Sequence, residues 1–410
     1  MFNSCYKLYL WASGGFKTLQ IPNLRSQFSS SSTSDHHHRR RRRNLSTMSA
    51  VTTEQSYDRL EEVKQFDELK IGVKGLVDSG VTAIPRFFHH PPENLPGPKP
   101  KNRPQLTIPV IDLSGERSTV VEEIRRSCST LGFFQIVNHS IPPTVIESVI
   151  GSMKEFFEES TEYKMRFYTR EDGKTVAYST NFDLFQSKAA SWRDTLQVRM
   201  SPIVPEWEVV PEVCSAALAE WDKAVMVLGE ELMSMLCEGL GIKTNKLKEL
   251  SCLDGRLSVS HYYPHCPQPE LTVGIASHTD ATVLAMVVEN EVGGLLQVKC
   301  GDEWVDVAAI PGAIIINIGD MLQMMSNDEY KSVEHRVLAN PVEGPRVSSA
   351  VFFGPSKQDK LYGPFPELIS TMKPAVYHDL VYKDYMKRFL TKELDGKTLT
   401  NFYKIDNTNE

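Results

Sequence analysis

Between residues 254 and 356 the chain reads LSVSHYY (257–263), ATVLAMVV (281–288), LLQV (295–298), WVDV (304–307), AIIINI (313–318) and RVSSAVFF (346–353), with Gly, Pro, Asn and Asp in the intervals. The runs are short and rich in Val, Ile, Tyr and Phe, which marks strands joined by turns. Several such strands in close succession predict an antiparallel sandwich or barrel.

Outward from this block the pattern becomes helical. Apolar residues at helical spacing predict helices over Tyr57–Leu76, Val120–Thr130, Pro142–Glu158 and Pro211–Gly239, the last stopped by Gly239 and Gly241. Two short apolar runs among them, Ile108–Leu113 and Gly132–Asn138, predict strands. A proline-rich stretch from Pro91 to Pro104 predicts extended chain over a surface. A final amphipathic helix is predicted over Pro374–Leu394, with Tyr377, Leu380, Val381, Tyr385 and Phe389 on one face.

Charge is distributed unevenly along the 410 residues. The first 47 carry eight Lys/Arg, including Arg39 to Arg43, against the single acid Asp35; the remainder carries 37 bases and 51 acids. So acidic a body is a poor surface for nucleic acid. No run approaches the roughly 18 apolar residues of a membrane-spanning helix. Seven cysteines lie scattered without a CxxC pair, which argues against a disulfide framework or a structural zinc site and suits a reducing compartment. Residues 1–47 are rich in Ser, His and Arg and predict disorder. They read either as a dispensable extension before Met48 or as a transit peptide; a nuclear address at Arg39 to Arg43 and a metal tract at His36 to His38 are weaker readings.

The chemistry concentrates in the strand-rich block. His278-Thr279-Asp280 places an imidazole and a carboxylate at i and i+2, on the same side of a strand. His335, 57 residues later, supplies a third ligand from another strand. Two histidines and a carboxylate on one face leave open coordination positions, the arrangement of a non-haem Fe(II) oxygenase. Arg346 and Ser348 repeat the i, i+2 spacing and offer a guanidinium fork beside a hydroxyl, suited to gripping a carboxylate. Phe352 continues that parity and is a candidate substrate contact, with a core aromatic as the equal alternative. Each feature alone is commonplace; the ordered set is not.

With these residues the chain resembles the plant 2-oxoglutarate/Fe(II)-dependent dioxygenases. The similarity runs from about Ser56 to the C-terminus and includes Ile108–Leu113, Gly132–His139, Tyr262-Tyr263-Pro264, Cys266–Thr272 and Asn317–Asp320. Within the family Tyr57-Asp58-Arg59, Gly72–Asp78 and Ser191-Trp192-Arg193-Asp194-Thr195 resemble the ACC-oxidase-homologue branch, which also holds deacetoxyvindoline 4-hydroxylase. The resemblance implies a fold that is mainly β with α: a double-stranded β-helix (jelly roll) core, an α-rich N-terminal part and a C-terminal helix. It implies Fe(II) held by His278, Asp280 and His335, 2-oxoglutarate anchored by Arg346, Ser348 and Tyr263, and ascorbate as reductant. Trp192 and Arg193 are expected to be structural. The sequence departs from the family at His261, where Asn usually precedes Tyr-Tyr-Pro, and at His265.

The expected division is 1–47 as an extension, 48–105 as N-terminal helix and Pro-rich segment, 106–253 as an α/β region, 254–356 as the catalytic jelly roll and 357–410 as a helical lid. The expected reaction is 2-oxoglutarate- and O2-dependent oxidation, chiefly hydroxylation, of a small plant specialised metabolite. An ascorbate-dependent oxidase of the ACC-oxidase type and a catalytically silent binding protein are the alternatives, and nucleic-acid demethylation is disfavoured by the acidic body. The expected partners are a small-molecule substrate and O2, without nucleic acid or membrane, for a monomer in the cytoplasm, or in plastid or mitochondrion if residues 1–47 are a transit peptide.

Overall fold

The computed structural model describes residues 57–97, 106–391 and 396–405. The readings of residues 1–47, of the Pro-rich segment beyond Gly97 and of Leu394 fall outside them.

In the N-terminal part, helices α1 (Arg59–Leu69) and α2 (Gly72–Asp78) precede the first strand. The single helix expected over Tyr57–Leu76 is therefore two. Lys70 adopts a left-handed conformation (φ 53°) and closes α1. Asp194 restarts the chain as α2, its two carboxylate oxygens each accepting from a backbone N–H, of Val73 and of Lys74, at 2.8 Å. Gly72 is required there: its φ is +68°, and a Cβ would lie 2.5 Å from Asp194 Oδ1.

Among the described residues twelve strands then build two sheets. They are β1 (Val110–Asp112), β2 (Phe133–Val137), β3 (Val176–Ser179), β4 (Asp194–Arg199), β5 (Gly255–Tyr263), β6 (Val273–His278), β7 (Leu284–Glu289), β8 (Leu296–Cys300), β9 (Glu303–Asp306), β10 (Ile314–Ile318), β11 (His335–Leu338) and β12 (Arg346–Gly354). The large sheet runs β1-β2-β10-β7-β12-β5-β4-β3 and the small one β6-β11-β8-β9. All neighbours are antiparallel except β1 and β2. The longest pairing joins β5 to β12 over nine residues each, Tyr263 opposite Arg346 at one end and Gly255 opposite Gly354 at the other. This is the antiparallel sandwich expected from the recurring short strands, and the jelly-roll core that the family resemblance implied. Strands β3 and β4 had not been anticipated; β4 is secured on one side by β5 and on the other by β3.

Parity along the strands sorts two cores. Val347, Val351 and Phe353 of β12, with Leu284, Met286 and Val288 of β7 and Ile314, Ile316 and Ile318 of β10, face a helical layer made of α3 (Arg117–Thr130), α4 (Pro143–Glu158) and α5 (Glu212–Gly239). A buried bidentate pair ties α5 to β5, with Arg256 donating to Asp222 at 2.8 and 3.0 Å. The opposite parity, including Phe133, Tyr263 and Ile315, meets Ile275, Leu296, Val298 and Val337 of the small sheet. The functional candidates sit in this space between the sheets. A third cluster gathers Val63, Phe66, Phe87, Phe88 and Trp192 under α1.

The C-terminal part differs from the expected helix over Pro374–Leu394. Among its described residues only Tyr382–Leu390 is helical (α6), and Leu380–Val381 is instead a short strand paired with Leu361–Tyr362. Tyr377 is buried in extended chain, its hydroxyl bonded to Asp328 and Gln323 and its backbone bridged to Lys404. These apolar residues meet the core from a strand, a bridge and a helix in turn, a mixture that helical periodicity cannot distinguish from one continuous element. Among the described residues no helix is long and apolar enough to cross a membrane.

Candidate active site

His278 ends β6 and His335 begins β11, and the two are directly opposite in the ladder, which brings their rings to 4.2 Å between centroids. Asp280 lies two residues past the end of β6, in the loop and not on the strand as its parity suggested. It still turns inward, because the intervening Thr279 points the other way and donates to Asp320 Oδ2 at 3.0 Å. Asp280 Oδ1 is 3.6 Å from His278 Nε2 and 3.7 Å from His335 Nε2. These three side chains form the group of potential metal ligands found among the described residues.

The surrounding bonds fix which atoms face inward. Nδ1 of His278 lies 2.8 Å from the Ala276 carbonyl and Nδ1 of His335 lies 3.3 Å from that of Val333. A carbonyl only accepts, so each Nδ1 carries a proton, which leaves Nε2 as the ring atom that can offer a lone pair. Asn317 on β10 donates to Asp280 Oδ2 at 2.6 Å, leaving Oδ1 for the cluster. Burial, followed by the neighbouring His335, holds the His278 imidazole well below its ordinary pKa, so it stays neutral. Two imidazoles and a carboxylate, each oriented by a second bond, suit a divalent iron.

Deeper along the large sheet, register aligns Thr195, His261, Ser348 and Glu289 in one row across β4, β5, β12 and β7. Residues directly opposite share a face, so this row lines the interior. His261 Nδ1 is bonded to Thr195 Oγ1 at 3.0 Å, and burial, with Arg193 and Arg346 nearby, keeps the ring neutral. Arg346 is 1% exposed. Its guanidinium carbon stands 4.9 Å from the centre of the Tyr263 ring, and its Nη1 is 3.5 Å from Ser348 Oγ. The structure thus brings Arg346, Ser348 and Tyr263 together. It also adds a carboxylate the sequence reading missed: Arg346 Nε donates to Glu289 Oε2 at 2.8 Å, and Nη2 donates to the same oxygen. Burial opposes the arginine's charge, but Glu289 and Tyr263 outweigh it and raise the pKa. The available signal was parity, since Glu289 is the charged member of the inward series Ala285, Val287, Glu289.

Phe352 pairs with Ala285, which pairs with Asn317, so it lies on the inward face in the row that reaches Asp280. Trp192 is buried against Phe88, and its Nε1 donates to the His265 carbonyl; Arg193 Nη1 donates to Asn181 Oδ1 and the Gly274 carbonyl.

With this geometry in view, two family models match. The 2OG-Fe(II) oxygenase superfamily covers residues 255–355, and the N-terminal domain described as non-haem dioxygenase in morphine synthesis covers residues 108–211. The 1-aminocyclopropane-1-carboxylate oxidase homolog 1 of Arabidopsis thaliana is 43% identical over 365 residues, spanning 87% of this chain and 100% of its own. The chain belongs to the plant 2-oxoglutarate/Fe(II)-dependent dioxygenase family. A probable 2-oxoacid dependent dioxygenase of Arabidopsis thaliana is 44% identical, covering 86% of this chain and 99% of its own. The crystal structure of JOX2 in complex with 2OG, Fe and JA superposes with a TM-score of 0.72 at 28% identity, over 82% of this chain and 97% of JOX2. This dioxygenase accordingly uses Fe(II), 2-oxoglutarate and O2 to oxidise a small molecule.

Proposed function

We propose that His278, Asp280 and His335 hold the iron, that Arg346, Ser348 and Tyr263 receive the far carboxylate of 2-oxoglutarate, and that the reaction is hydroxylation of a small plant specialised metabolite. The observation that carries the assignment is the convergence of the His278 and His335 Nε2 atoms on one Asp280 oxygen. Iron bound there supplies the oxygen chemistry that no side chain can. The chain's own residues do the rest. Ala276 and Val333 fix the imidazole tautomers, Asn317 aims the carboxylate, and the apolar contacts between the sheets exclude water.

Phe352 is proposed to contact the substrate from the inner face of β12. Residues 254–356 form the catalytic core of this proposal and residues 357–410 its cover. Gly396 bridges to the His278 backbone, and its carbonyl lies 3.4 Å from Thr279 Oγ1, which supports a C-terminal segment set beside the proposed metal site. A monomer acting in the cytoplasm, with ascorbate keeping the iron reduced, completes the reading.

The test is a panel of plant phenolic, alkaloid and terpenoid acceptors, with products analysed by mass. Gain of one oxygen by an acceptor, matched by succinate, supports hydroxylation. Loss of two hydrogens without added oxygen would replace it by desaturation or ring closure, and turnover with ascorbate but without 2-oxoglutarate would point to an ACC-oxidase-like reaction.

A further inference from the structure

Arg346 is the proposed anchor for the far carboxylate of 2-oxoglutarate, yet its fork already holds a carboxylate of this chain. Glu289 Oε2 accepts from both Nε and Nη2, and the two side chains are only 6% and 2% exposed. The other Glu289 oxygen, Oε1, is buried without a hydrogen-bond partner. Glu289 stands opposite Ser348 in the β7–β12 register, so it shares a face with the hydroxyl that flanks the same anchor. A second carboxylate arriving here must share one guanidinium with Glu289, and two like charges in a buried site repel with little screening.

We infer that Glu289 is a specificity-determining residue, an internal competitor for Arg346 that weakens capture of the 2-oxo acid's far carboxylate and so loosens the selection for a dicarboxylate co-substrate. This rests on the proposed role of Arg346. The protein still binds 2-oxoglutarate through iron chelation, with Arg346 Nη1, Ser348 and Tyr263 as the remaining contacts at the far end. It gains less from that end than an uncompensated arginine would give. A 2-oxo acid whose far end is a methyl group avoids the repulsion altogether.

The experiment is anaerobic calorimetry on the Fe(II)-loaded protein, which reads binding without turnover. The probes are 2-oxoglutarate and 2-oxopentanoate, which differ only in a carboxylate against a methyl group. A charge-assisted contact freed from a competitor corresponds to about tenfold in affinity or more. Glu289→Gln, close in shape and neutral, is therefore expected to tighten 2-oxoglutarate at least about tenfold while moving 2-oxopentanoate by less than about twofold. Should that variant not fold, Glu289→Met carries the same test. Adding Arg346→Gln to Glu289→Gln should abolish the gain. No gain in the single variant, together with a loss of 2-oxoglutarate affinity in the double variant, overturns the role of Glu289 and leaves the anchor standing. A double variant that binds 2-oxoglutarate as tightly as Glu289→Gln does overturns the anchor itself, and the inference with it.

Discussion

Replacing Asn317 by Ala probes how the proposed metal cluster is aimed. The Asn317 amide donates to Asp280 Oδ2 at 2.6 Å, and Asn317 is 2% exposed, so no water stands ready to take its place. A hydrogen bond to a charged group contributes about 1.5–3 kcal/mol. If that energy is what holds Oδ1 toward the two imidazoles, its loss weakens metal binding roughly 10- to 150-fold, at 1.4 kcal/mol per decade. Supporting groups around metal ligands typically cost 10–100-fold when removed, in keeping with that range. Asn317→Asp should be worse than Asn317→Ala, because it sets a second carboxylate against Asp280. The assay is anaerobic Fe(II) titration against a competing chelator, with thermal unfolding of the metal-free proteins measured in parallel. A metal affinity for Asn317→Ala within about twofold of the unaltered protein would refute the idea that this bond positions the carboxylate.

Other perturbations follow from the same coordinates. Gly72→Ala should destabilise the fold by more than about 1 kcal/mol in urea unfolding while leaving metal affinity unchanged, because its Cβ would collide with Asp194 from a left-handed backbone. His90 is buried with its Nε2 against the Ala190 carbonyl, and burial pulls its pKa down to about 4. The folded protein keeps this ring neutral while the unfolded chain protonates it. The stability it contributes is therefore full above about pH 6.5 and falls, by on the order of 3 kcal/mol, as pH drops toward 4. His90→Gln should flatten that acid limb in unfolding curves measured from pH 7 to 4, and an unchanged limb would refute the assignment. Phe352→Ala should abolish the rise in succinate caused by an acceptor while sparing succinate formed without one; retained stimulation would remove Phe352 from the substrate wall.

The sequence made the proposed metal cluster legible because its geometry depends on short-range rules. A histidine at the end of one strand, a carboxylate two residues on and a second histidine on a neighbouring strand can be placed by parity. Parity also placed Arg346, Ser348 and Phe352 on one face. It erred in detail at Asp280, whose inward turn comes from Thr279 reaching Asp320 beyond the strand. What sequence could not supply was pairing at a distance. Glu289 and Arg346 are 57 residues apart and meet only because β7 and β12 are neighbours in a particular register. Strands β3 and β4 escaped for a similar reason, since their stability comes from attachment to the edge of a sheet already built on β5. At the N-terminus Gly72 and Asp194 were visible as separate motifs. Only the fold shows that one caps the helix the other begins.

The central claim is best tested by succinate formation in purified protein loaded with Fe(II) under O2, with and without 2-oxoglutarate, alongside Asp280→Ala. The account predicts about one bound iron per chain, succinate only when 2-oxoglutarate is present, and loss of both in Asp280→Ala with the fold intact. Iron-dependent succinate formation that survives Asp280→Ala would contradict it.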